Sequence, residues 1–262
     1  MKLDFNSIPK FCISLKRCKE RRDLVQLEFK KAGLQVEFFD AVDREEIVLP
    51  ELCDKENKTA VFPHAPGIYA CMMSHRELFK KASKLKLPAI CVFEDDVVLC
   101  SDFTDRIRYM EKVCPEFDFL ALGGHFSNTI PGAIGACGQH TEFNHIFRVV
   151  SMGGSYGYVI TREIYEFCIS NLYYGFGMDQ FLSDVVYKRF ACYAFVPFLV
   201  GCRPCKSEIT GAYGEYENAK WLYQKEPIGD FGVPYRTPHQ IQVEAEAKAA
   251  NEFRENTLKN ER

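Results

Sequence analysis

Apolar residues recur along this chain in two rhythms. Short apolar runs bounded by polar or turn residues read as buried strands, and apolar positions three and four apart read as one helix face. Phe11–Leu15 is a first strand, and Arg17–Ala32 follows as an amphipathic helix, apolar at Leu24, Val25, Leu27 and Phe29 and stopped by Gly33. Gln35–Phe39 is a second strand, and the polar stretch from Asp43 to Pro66 is a long loop with room for a short helix. Gly67–Leu85 is helical, with Tyr69, Met72, Met73, Leu78 and Phe79 at helical spacing and Pro88 just past its end. An apolar strand from Ala89, a helix near Phe103–Val113 and a strand at Phe117–Leu122 complete the first half.

The second half has shorter elements. Gly132–Asn144 reads as a loop or hairpin, and Phe147–Val150 and Ser155–Ile160 as strands around Met152-Gly153-Gly154. Thr161 caps a helix through Ile169, Asn171–Gly177 is a Gly- and aromatic-rich loop, and a helix runs from Met178 to Lys188. Tyr193–Val200 is a last strand, and His239–Arg262, rich in Ala and Glu, is a helical tail. No internal repeat is present. Strands separated by helical crossovers predict an α/β domain with a parallel sheet and right-handed connections. Ligands of such sheets bind at the carboxyl ends of the strands, where Arg17, Asp40 and the acids after Phe93 fall.

Composition narrows the choice of function. The 262 residues are 47% apolar and 26% charged, which suits one large or two small globular domains. A net charge of −3 supplies no basic field for nucleic acid. No stretch approaches the roughly 20 apolar residues of a membrane span. The start, MKLDFNSIPK, has an early acid and no apolar core, so no secretory signal is predicted there. Twelve cysteines in such a chain are expected to stay reduced, several of them in the core, and a cytoplasmic location follows. Cys202-Arg203-Pro204-Cys205 is the one C-x-x-C, and with no second pair to complete a zinc site it reads as two free thiols.

The segment Ala89-Ile90-Cys91-Val92-Phe93-Glu94-Asp95-Asp96-Val97 carries the chemistry. Three carboxylates at a strand tip repel one another unless a positive group sits between them. A hard divalent cation, Mg²⁺ or Mn²⁺, takes oxygen ligands and commonly bridges carboxylates to a substrate's phosphates. Side chains alternate along a strand, which predicts Glu94 and Asp96 on one side and Asp95 on the other. The alternative is a solvated strand end with acidic turn residues.

Several motifs in order resemble glycosyltransferase family 25, the lipooligosaccharide galactosyltransferases of Gram-negative bacteria, related to the collagen galactosyltransferases. They are Ile13-Ser14-Leu15-Lys16-Arg17 with Arg21-Arg22, Phe39-Asp40-Ala41-Val42-Asp43, Gly67 with Ala70-Cys71-Met72-Met73-Ser74-His75, Phe93-Glu94-Asp95-Asp96-Val97, and Gly154-Ser155-Tyr156-Gly157-Tyr158-Val159-Ile160. Asp179 and Ser207-Glu208-Ile209 complete the set, with Glu208 standing where the family usually has Asp. The resemblance implies a GT-A-like, Rossmann-type mixed and mostly parallel sheet flanked by helices, with a smaller acceptor-side region. It also implies a UDP-sugar donor, UDP-galactose by family resemblance, a divalent metal (Mn²⁺ or Mg²⁺) and an inverting transfer to a saccharide or glycolipid acceptor. Residues 1–125 would then form the nucleotide-sugar half, 126–235 the acceptor-side half of the same domain, and 236–262 the tail. Peripheral contact with the inner membrane is compatible with this reading, and nucleic acid is not a partner.

Individual residues take roles accordingly. A nucleotide diphosphate leaves poorly until its charge is neutralised, so Glu94 and Asp96 read as the metal pair and Asp95 as a donor contact. Arg17 suits the diphosphate because its fork binds oxygens bidentately, whereas Arg21 and Arg22 read as a solvated helix face. Asp40, His75 and Gly154 are placed with the donor. Asp179, opening a helix after the aromatic loop, is the candidate base for the acceptor hydroxyl, with Asp184 second and helix capping as its alternative role. A metal-dependent phosphohydrolase and a non-catalytic nucleotide-sugar-binding protein are the competing functions.

Overall fold

A computed structural model describes residues 1–47, 65–125, 138–140, 145–172, 177–203, 205–209 and 213–214. The aromatic loop at 173–176, the tail from His239 and most of the polar stretch after Asp43 therefore lie outside the described residues. All described residues belong to one compact unit, Met1–Pro227.

The elements alternate as the apolar rhythm predicts. Strand β1 (Lys10–Ser14), helix α1 (Lys19–Lys31), β2 (Glu37–Asp40), α2 (Ala65–Lys84), β3 (Ala89–Glu94), β4 (Val97–Leu99), α3 (Phe103–Val113) and β5 (Phe119–His125) form the first half. The second contributes β6 (Gly138–His140), β7 (Ile146–Val149), β8 (Gly153–Thr161), α4 (Arg162–Asn171), α5 (Met178–Phe181), β9 (Cys192–Phe195) and β10 (Val200–Cys202). A small separate ribbon pairs β11 (Cys205–Lys206) with β12 (Tyr213–Gly214). Among the described residues no helix is long and apolar enough to cross a membrane.

The main sheet runs β2-β1-β3-β8-β5-β9-β7-β6, with β10 joining β5 and β4. Most strands share one direction, but β8 runs antiparallel between β3 and β5, so the sheet is mixed. The final strand expected at Tyr193–Val200 is two strands, β9 and β10, separated by Pro197, whose ring removes a ladder donor. The helix expected from Met178 to Lys188 is α-helical for one turn and then widens into a π-helical turn, Leu182–Val186.

Period-two alternation assigns the two sheet faces. Phe29 of α1 packs on Phe93 of β3 at 5.2 Å between ring centres, and Phe103 of α3 packs on Phe5 at 5.9 Å. On the opposite face Tyr158 of β8 stacks on Phe119 at 5.1 Å and on His75 of α2 at 5.9 Å, while Phe79 of α2 meets Tyr165 of α4. These side chains are almost completely buried, each stabilising the fold by about 1.5–3 kcal/mol relative to exposure. Cys12, Cys91, Cys168 and Cys192 are buried free thiols, as small apolar core residues. Register brings Ser14 beside Asp40, and Ile13 beside Glu94, so the acids gather at one edge of the sheet.

Candidate active site

The carboxyl ends of β1, β2 and β3 form the floor of a cleft. β3 stops at Glu94, and Asp95 and Asp96 make the turn into β4. Strand alternation therefore does not carry past Glu94, and Asp95 and Asp96 converge on one cation rather than diverging. That cation is Arg21, from the first turns of α1: its Nη2 contacts Asp95 Oδ1 and lies 2.9 Å from Asp96 Oδ2. Arg17 lies in the turn before α1, so the two arginines share no helix face, yet both line the cleft. Asp95 also accepts a 2.6 Å hydrogen bond from Ser14 Oγ. Arg22 is likewise engaged, donating to Ser14 O at 2.7 Å and to Asp40 Oδ1 at 2.6 Å. Neither arginine is a solvated face. Their partners are brought near by β1 and β3, so helix periodicity alone could not assign them.

Glu94 occupies a different environment from its neighbours. Ser155 Oγ donates to its Oε1 at 2.6 Å. Burial first, then the charge of Asp96, push its carboxyl up to about 8, with Asp179 and Asp95 adding to the rise and the Ser155 bond opposing it. Burial also holds the Asp95 carboxyl above its ordinary value, against the Arg21 charge and the Ser14 bond. His75, fully buried on α2, is bonded through Nδ1 to Tyr158 Oη at 2.7 Å. Burial lowers its pKa to about 3, so the ring is neutral and its 3.9 Å approach to Glu94 is no ion pair.

The mouth of the cleft is built from charges of both signs. Arg17 Nε meets Asp43 at 2.6 Å and its Nη2 meets Glu208 at 2.8 Å. Arg44 donates to the Glu208 carbonyl at 2.9 Å. Gly67, in the first turn of α2, lets the backbone of Ile209 pass so close that an added Cβ would lie 2.9 Å from its Cα and its oxygen. Arg17, Arg21, Arg44, His75, Glu94, Asp95 and Glu208 line the cleft.

Asp96 sits behind that lining. Its backbone carbonyl accepts from Arg203 N at 2.6 Å, and its carboxylate receives the thiols of Cys202 at 3.8 Å and Cys205 at 3.9 Å. The two thiols of the C-x-x-C thus rest on the acidic tip, a placement that spacing alone did not reveal.

Asp179 and Gly154 form a pair of their own. Asp179 Oδ2 accepts from Gly154 N at 3.2 Å and its Oδ1 accepts from Gln180 N at 2.8 Å. Gly154 has φ of +78°, a left-handed conformation that suits glycine and turns its N–H toward Asp179. Asp179 tilts the charge balance at Glu94, so its carboxylate belongs to the same electrostatic cluster. Asp40 is held aside by Arg22 and does not line the cleft. Asp184 lies on the surface, 3.8 Å from Lys188.

An acidic tip with a buried, hydrogen-bonded second side and an arginine-rich mouth can hold a polyanion and a cation together. Residues 7–132 match the profile of Glycosyltransferase family 25 (LPS biosynthesis protein). A lacto-N-neotetraose biosynthesis glycosyltransferase, LgtB, of Neisseria meningitidis serogroup A is 38% identical over 163 residues, covering 58% of this chain and 56% of its own length. The lipooligosaccharide biosynthesis protein lic2B of Haemophilus influenzae is 32% identical over 164 residues, covering 58% of this chain and 59% of its own. The chain thus spans well under two thirds of the length of these curated relatives. A crystallised glycosyltransferase involved in glycosylation of the major capsid of PBCV-1 aligns over 82% of this chain and 98% of its own, at 9% identity and a TM-score of 0.43. The matched residues include β1, the arginines of α1, His75 and the whole Glu94–Asp96 tip, and over residues 7–132 the chain is similar to glycosyltransferase family 25.

Proposed function

We propose that this protein is an inverting glycosyltransferase that moves a hexose, galactose from UDP-galactose by family resemblance, to a saccharide or glycolipid acceptor. The observation that carries the reading is the convergence of Asp95 and Asp96 on Arg21, next to Glu94, beside a cleft whose mouth holds Arg17 and Arg44. The names of the Neisseria and Haemophilus relatives support a lipooligosaccharide-type acceptor.

The donor set fits a hard divalent cation. Mutual repulsion between Glu94 and Asp96 already raises the Glu94 carboxyl, and a cation held by these two residues would relieve it. When bound, Mn²⁺ or Mg²⁺ supplies charge neutralisation for the leaving diphosphate. The chain's own residues do the rest. Arg17 and Arg21, ion-paired with neighbouring acids, would turn N–H donors to phosphate oxygens, and Asp95, anchored by Ser14, would contact the donor's ribose or sugar. Neutral His75 can donate or accept at the cleft wall without adding charge. Asp179 is the candidate base: it takes the proton from the acceptor hydroxyl as that oxygen attacks the anomeric carbon, and the carbon–diphosphate bond breaks on the opposite side.

Incubating the full chain with a panel of UDP-hexoses and lipooligosaccharide-type acceptors tests the reading. Transfer of galactose that stops in excess EDTA and in Asp96→Ala is expected. Release of UMP and hexose 1-phosphate without sugar transfer would favour a phosphohydrolase, and binding with no turnover would favour a non-catalytic protein.

A further inference from the structure

The buried ring of His75 has one nitrogen satisfied and one not. Nδ1 is bonded to Tyr158 Oη, while Nε2 has no hydrogen-bond partner. Buried polar atoms are nearly always paired, so an orphan at a cleft wall points to something that meets it. Nε2 is aimed at Glu94 Oε1, 3.9 Å away and too far for a hydrogen bond. Cys71 lies one turn before His75 on α2, and one ligand atom from each of Cys71, His75 and Glu94 lies within 4.8 Å of the others.

This donor set differs in kind from the oxygen pair of Glu94 and Asp96. Sulfur and imidazole nitrogen select Zn²⁺-like ions, whereas carboxylates and water suit Mg²⁺ and Mn²⁺. Zinc binds sulfur at about 2.3 Å and nitrogen or oxygen at about 2.0–2.2 Å, so ligands at tetrahedral angles stand roughly 3.3–3.6 Å apart. The 3.9 Å between His75 and Glu94 is a few tenths of an ångström wider than that, so Glu94 and the half-buried Cys71 would turn inward onto the ion. Tyr158 supplies the outer contact that a metal-bound histidine characteristically makes through its other nitrogen: with Tyr158 Oη accepting from Nδ1–H, Nε2 carries a free lone pair.

We propose that Cys71, His75 and Glu94 form a site for a borderline transition-metal ion of the Zn²⁺ and Co²⁺ class in the wall of the cleft. Three protein ligands leave a fourth position for water or a ligand donor atom. Binding releases the Cys71 thiol proton to solvent and forms a metal–thiolate bond, with no change of oxidation state. Glu94 belongs to both donor sets, so the site is best read by spectroscopy rather than through sugar transfer.

The test uses the full chain, stripped with chelator, kept reduced and titrated with Co²⁺. A single equivalent is expected to give the visible bands of tetrahedral cobalt together with a thiolate-to-cobalt charge-transfer band. Cys71→Ser, checked for fold by circular dichroism, should lose the charge-transfer band and bind Co²⁺ at least about tenfold more weakly. The double variant Cys202→Ala with Cys205→Ala should keep the band, which separates this site from the thiols near Asp96. Absence of a charge-transfer band in the wild type, or a band that survives Cys71→Ser, overturns the proposal.

Discussion

Arg21 is the residue around which the acidic tip is organised. It neutralises Asp95 and Asp96 with one guanidinium, so it occupies the electrostatic role that a divalent cation is expected to take. Arg21→Gln should therefore destabilise the protein by about 1–3 kcal/mol, since two partly buried carboxylates lose their partner. Mn²⁺ should then raise the melting temperature of the variant more than that of the wild type. Equal shifts would show that arginine and cation do not compete. Glu94 gives a pH signature. Its folded carboxyl is raised from an ordinary 4.5 to about 8, so the folded state holds a proton that the unfolded state has lost. The cost is absent below about pH 4.5, grows as pH rises and is complete above about 8, so this group lowers stability with increasing pH. In chelator, Glu94→Gln should flatten that part of the melting-temperature profile, and an unchanged slope would count against the assignment. At Asp179, Asn keeps an oxygen for the Gly154 N–H, so Asp179→Asn should fold and bind donor within about tenfold while kcat falls roughly 10²–10⁴-fold. A variant with more than about a third of wild-type kcat would move the base elsewhere, Asp184 being next. The acids themselves were legible because three in a row at a strand end violate ordinary strand composition. Their partners Arg21, Ser14 and Ser155 were not, because each comes from a segment remote in sequence.

At the scale of elements, helix α2 and the segment 205–209 meet through one glycine. Gly67→Ala would set a Cβ 2.9 Å from the Ile209 backbone, which cannot yield as a flexible side chain can. The expected result is displacement of Glu208 from Arg17 and a loss of donor affinity, with little change in the melting temperature. Calorimetric titration with UDP checks it, and an unaltered dissociation constant would show that the 205–209 segment plays no part in binding. Helix α3 falls where the apolar spacing put it, Phe103–Val113, because its apolar face repeats cleanly and it needs no distant partner to define it. Two later elements depart from the rhythm for identifiable reasons. Pro197 interrupts the last strand, and the turn at 182–186 widens by one residue, which no apolar period encodes. The antiparallel course of β8 was also hidden, since crossover logic applies to strands joined through helices and β8 follows β7 directly.

For the whole molecule, β8 decides where the chain can be divided. It supplies the hydrogen-bonding neighbour of both β3 and β5, so residues 1–125 alone would expose two long apolar strand edges. That fragment is expected to aggregate or remain unfolded, and a cooperative melt of the isolated fragment would refute this. The tip of β3 has a further consequence. Ser14 and Arg21 hold Asp95, Arg21 holds Asp96, and Ser155 holds Glu94, all by contacts within the protein. Small zinc domains, by contrast, collapse only when their ion arrives. Here folding and metal loading are separable equilibria: the chain can be prepared and refolded in chelator, then titrated at constant structure, so every ion's affinity becomes a direct measurement rather than a stability in disguise.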